Sequence, residues 1–172
     1  MINRSEFVQR WGRKASDSDD PFDRFFSAWI ALVILARGGL DEQQLSQRDT
    51  DRKAIIQYFE TNADRVVRIL GNLGENTAWL AARRGTGTQE AIVDVYAASP
   101  PHLRGLFDAL ARVWSGEETR KPRWIAKVTA EMVNHIRNHM FHGLKSPDDG
   151  ADQELIGHVN PILLGVLQLN AG

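Results

Sequence analysis

The chain is 172 residues long, carries 21 Lys and Arg against 22 Asp and Glu for a formal net charge of −1, and has no cysteine. That length suffices to bury a core within a single domain spanning 1–172. The near-neutral balance excludes a global pull toward nucleic acid and leaves RNA binding to local basic patches, and the missing thiols exclude disulfides and thiolate metal sites.

No long stretch alternates with a strand period, whereas 3.6-residue patterns recur throughout, so the sequence predicts an all-α protein of roughly seven to nine helices. Met1-Ile-Asn-Arg-Ser-Glu-Phe7 offers no signal-peptide apolar region, and with the absence of cysteine this points to the cytoplasm. A first helix is expected over about Arg4–Arg13. Asp17-Ser-Asp-Asp-Pro21 then supplies a capping side chain followed by proline in the first turn. The helix it opens, Phe22–Arg37, is apolar on nearly every side, which suits a central helix or a subunit interface. Its apolar run, Phe25–Ala36, is shorter than the roughly 20 residues a membrane span requires, and no membrane role is expected.

Further helices are expected over about Asp51–Thr61, from Val66 to Gly71, over Asn76–Arg83 and over Gln89–Ala98. Arg83-Arg-Gly-Thr-Gly-Thr88 reads as a basic loop. Pro100-Pro101 begins a helix reaching about Gly116, with Leu103, Leu106, Phe107, Leu110 and Trp114 as its apolar stripe. Pro122 opens a long helix running to His142 and ending at Gly143. A final helix from about Asp152 to Leu169 contains Pro161, a potential kink.

The long helix carries the chemistry. At about 100° per residue, Ile125, Val128, Met132, Ile136 and Met140 form one apolar stripe, with Glu131, Asn134 and Asn138 on the opposite side. Asn138 and His142 lie one turn apart on one ridge. Arg137 and His142 diverge by about 140° on an ideal helix. Either the helix end must swing His142 round, or two copies of the segment must face each other.

Cleavage of RNA by its own 2′-hydroxyl needs a base, and neutral histidine suits that task near pH 7. The charge that builds on the phosphorus oxygens is matched by a planar, permanently charged guanidinium. His142 is therefore the candidate general base, Arg137 the phosphate and transition-state stabiliser, and Asn138 the residue that orients phosphate or imidazole. On residue type alone the plainer alternative is that Arg137 and His142 cap the helix carbonyls.

The local pattern Arg137-Asn138-x-x-Phe141-His142-Gly143, followed by Lys145, resembles the R-x4-H signature of HEPN domains. Asp20-Pro-Phe-Asp-Arg-Phe-Phe-Ser-Ala-Trp-Ile-Ala31 also resembles the aromatic first core helix of one HEPN subgroup, although Leu32-Val33 stands where a Phe-Asn pair commonly follows. The resemblance spans about residues 20–167 and implies a HEPN-like up-and-down helical bundle with extra helices, dimeric, with each subunit supplying Arg137, Asn138 and His142. It further implies a metal-independent endoribonuclease of toxin or defence type, needing no cofactor and held in check by an antitoxin or regulatory protein. The alternative it allows is a catalytically silent dimeric scaffold that binds a nucleotide, an RNA or a protein.

Other features weigh less. Arg120, Lys121, Arg123 and Trp124 combine basic and aromatic groups suited to RNA phosphates and stacking, and Lys145 could assist. The plainer reading of that stretch is a helix start with solvated charges and Trp124 packed on its neighbours. His135, His139 and His142 fall at helical spacing, but with no HExxH glutamate or evident fourth ligand no metal site is expected. Arg83-Arg84 lacks the Gly-Lys-Ser/Thr ending of a P-loop.

Overall fold

The computed structural model describes residues 3–41, 43, 46, 50–82, 100–141 and 149–169, with Phe141 as backbone alone. Among them are eight helices and no strand: α1 (Arg4–Asp17), α2 (Pro21–Arg37), α3 (Thr50–Thr61), α4 (Ala63–Asn72), α5 (Gly74–Ala82), α6 (Pro101–Trp114), α7 (Pro122–Phe141) and α8 (Gly150–Gln168). The expected helix over 89–98 and the basic loop at 83–88 lie outside the described residues.

Several boundaries follow from local chemistry. The Asp20 carboxylate accepts the Asp23 amide at 2.8 Å, and Pro21 occupies the first turn of α2, where its missing N–H costs nothing. Asp149 accepts the amides of Ala151 and Asp152 and so starts α8. Helix α1 runs four residues beyond its expected end at Arg13, because Ala15 is wholly buried and extends the packed face past Gly12. Helix α8 continues through Pro161 to Gln168.

One apolar cluster draws on all eight helices, with Phe25, Leu32, Ile55, Phe59, Phe107, Leu110, Met132 and Ile136 wholly enclosed. Helix α2 packs on α1, α3 and α8, and α7 packs on α3, α4 and α6. Helices α1 and α2 run antiparallel: Arg4, at the start of α1, lies so near Gly38 that a Cβ there would sit 2.8 Å from its guanidinium. Helices α3 and α7 also run antiparallel. Arg52 near the start of α3 pairs with Glu131, while Glu60 at its other end pairs with Arg123.

The expected stripe of α7 is inside, with Ile125, Val128, Met132 and Ile136 buried and Met140 half-buried against the core. The side of α7 opposite that stripe is also enclosed, for Ala126, Ala130, Glu131, Val133 and Asn134 are buried too. Three helices surround α7, and the small side chains at 126 and 130 let neighbours approach closely. Burial of a polar side then demands partners, and those partners shape the cleft.

Candidate functional site

The C-terminal half of α7 forms one wall of a cleft of about 380 Å³. Asn134, Arg137 and Asn138 line it from α7, one turn apart or adjacent. Trp29 and Arg37 contribute from α2, and Thr50, Asp51 and Arg52 from the first turn of α3. Among the described residues, three guanidinium groups thus share the cleft with one lining carboxylate, that of Asp51.

Each arginine is held differently. Arg137 donates from Nη1 to Asn138 Oδ1 at 3.0 Å, and its Cζ lies 5.6 Å from the centre of the Trp29 ring. That is within range of a cation–π contact. Trp29 is itself buried and lies nearly parallel to Phe25, so the ring under Arg137 is a fixed platform. Arginine only donates hydrogen bonds, so the atom that Asn138 turns toward it must be oxygen. This leaves the Nδ2 amide as the group with which Asn138 would meet a phosphate oxygen or an imidazole.

Arg52 donates through Nε and Nη2 to the two oxygens of Glu131, a bidentate pair in which the carboxylate is 6% exposed and the arginine side chain 41%. Two parallel bonds to a buried acceptor fix the guanidinium plane. Arg37 donates to Asp51 at 3.0 Å, with both side chains close to half exposed. An exposed pair of that kind contributes little and exchanges readily.

Of the expected catalytic residues, Arg137 and Asn138 are brought together at the cleft. His142 lies just beyond the described residues, as does Lys145. The side chain of Phe141, one residue before His142, also lies outside them. His135 and His139 approach Nε2 to Nε2 at 3.0 Å, and Phe107 lies 5.8 Å from the His135 ring. A hydrogen bond between the two rings requires that at least one be neutral. Among the described residues no group of three or more His, Asp or Glu is placed to hold a metal ion.

The Arg120–Trp124 stretch sits at the opposite end of α7, with Arg123 about 20 Å from Arg137 along the axis at 1.5 Å per residue. Arg123 pairs with Glu60, and Arg120 pairs with Glu118 while lying over the Trp124 ring. Trp124 packs against the core, and Lys121 is exposed. The hydrogen bond from Arg112, reinforced by Arg120, holds the Glu118 carboxyl below its usual range. Carboxylates therefore already occupy two of these cations, and the structure does not bring them to the cleft.

Sequence reasoning missed Arg37, Thr50, Asp51, Arg52 and Asn134 as site residues and took Trp29 for core alone. Only one signal pointed to them. Glu131, Asn134 and Asn138 recur along one side of a helix that is otherwise apolar, and a polar line of that sort needs partners when it is buried. No helix of the described residues is long and apolar enough to cross a membrane. No family model, no curated protein and no solved structure matches the chain.

Proposed function

We propose that the chain is a metal-independent endoribonuclease of the HEPN type, acting as a homodimer on RNA. The observation that carries this reading is the placement of Arg137 and Asn138, the first two residues of the Arg-Asn-x-x-x-His segment, in an arginine-lined cleft. His142 follows Asn138 by one helical turn in sequence.

In this reaction His142 accepts the proton of the 2′-hydroxyl as that oxygen bonds to phosphorus. The phosphorus–O5′ bond breaks, and the departing oxygen takes a proton from the imidazolium or from water. The products are a 2′,3′-cyclic phosphate and a 5′-hydroxyl end. Arg137, immobilised over Trp29, meets the charge that develops on the non-bridging oxygens and needs little reorganisation to do so. Asn138 orients the phosphate or the imidazole.

A dimer in which each subunit supplies the segment resolves the divergence of Arg137 and His142 on one helix. Phe26, 42% exposed on α2, offers apolar surface for such a contact. An antitoxin or regulatory protein partner and a cytoplasmic setting belong to the same proposal. A silent dimeric scaffold would have use for the same cleft, so the deciding experiment is cleavage. His142→Ala is expected to lower cleavage of labelled RNA by about 10² to 10⁴-fold, with the dimer retained in light scattering. Equal activity in the variant would remove His142 from the mechanism.

A further inference from the structure

We infer that Arg37 and Arg52 form a second phosphate subsite, which seats the phosphodiester next to the one held by Arg137 on a single-stranded RNA. The inference rests on the ribonuclease reading for the identity of the strand and deepens it by naming how the substrate is gripped.

The cleft is too large for one phosphate and its chemistry is not confined to Arg137. Its volume of about 380 Å³ falls in the range of sites for small organic ligands, roughly 300–1,000 Å³. That suits a nucleotide of a single strand with its flanking phosphate. Trp29 and Arg137 line it as a contacting pair, and the first turn of α3 with the end of α2 supplies Arg52 and Arg37.

Arg52 is built to receive an anion. Glu131 takes only its Nε and Nη2 edge, and a guanidinium has five N–H donors. The buried carboxylate thus acts as a clamp that orients Arg52 without covering it, for the arginine side chain remains 41% exposed. Arg37 is held only by the exposed Asp51, and a phosphate oxygen can replace that carboxylate at small cost. Thr50 and Asn134, both on the cleft wall, add neutral polar groups suited to sugar or phosphate oxygens.

Binding of a mixed-sequence 2′-O-methyl RNA 12-mer, which cannot be cleaved by its own 2′-oxygen, tests this by fluorescence anisotropy across a salt series. A single-stranded site loses about 0.7 of logarithmic salt slope for each phosphate contact removed. We expect Arg37→Gln to flatten the slope by about that amount and to weaken binding by about tenfold. Arg52→Gln combined with Glu131→Gln should do the same while avoiding an unpaired buried carboxylate. Lys14→Gln, which removes one positive charge near the far end of α2 from Arg37, should behave as wild type.

Wild-type slope and affinity in both cleft variants would overturn the subsite while leaving the ribonuclease reading standing, as would an absence of binding by a wild-type protein that still cleaves RNA. Flattened slopes in a protein that never cleaves RNA would overturn the ribonuclease reading and uphold the subsite.

Discussion

Arg52 and Glu131 lie 79 positions apart in sequence, yet their pairing governs one wall of the cleft. Removing the arginine leaves a buried carboxylate uncompensated, which in a fully enclosed pair costs about 3–5 kcal/mol. Water reaches the Arg52 side, so the expected loss for Arg52→Ala is smaller, roughly 2 kcal/mol. Chemical denaturation should register that loss, and Arg52→Gln with Glu131→Gln should recover much of it. A double variant no more stable than Arg52→Ala would mean that the pair is not what the buried carboxylate requires. The limits of the sequence are clear at these positions. Arg137 and Asn138 were legible because one short motif places them side by side. Arg37 and Arg52 were not, because they belong to other helices and reach the cleft only through tertiary packing. A helical wheel put Glu131 on the side of α7 opposite its apolar stripe, but it carries no knowledge of neighbours and so could not name Arg52 as its partner.

Helices were the most readable level. Proline in the first turn and a capping aspartate located the start of α2, and its apolar run predicted a helix with few solvated sides. Burial of the polar side of α7 depends on which helices surround it and leaves no mark in the periodicity of α7 itself. Close approach between helices is similarly invisible in one sequence. A Cβ on Gly165 of α8 would sit 2.7 Å from Ile69 Cγ2 of α4, and the branched side chain at 69 has few rotamers into which to retreat. Alanine favours a helix over glycine by about 1 kcal/mol, whereas overpacking costs typically about 1–3 kcal/mol. Gly165→Ala should therefore lower the melting temperature by a few degrees, at roughly 2–4 °C per kcal/mol for a chain of this size. An unchanged or raised value would mean that α4 and α8 part without penalty.

For the molecule as a whole, the fold gathers chemistry from three separate stretches, around residues 29–37, 50–52 and 134–138, at one cleft. Helices α2, α3 and α7 bring them there, each braced by several neighbours, and Asn160 ties α8 to the start of α2 through a 2.9 Å bond to the Pro21 carbonyl. The all-α class was legible at this scale because helical periodicity pervades the chain. The cleft was not, since its walls meet only when α3 packs antiparallel to α7. What that cleft does is tested most simply by incubating the purified protein with end-labelled RNA in EDTA. The wild type should yield fragments ending in a 2′,3′-cyclic phosphate and beginning with a 5′-hydroxyl, and Arg137→Ala should yield almost none. Intact RNA after incubation with the well-folded wild-type protein, or equal cleavage by Arg137→Ala, would contradict that role for the cleft.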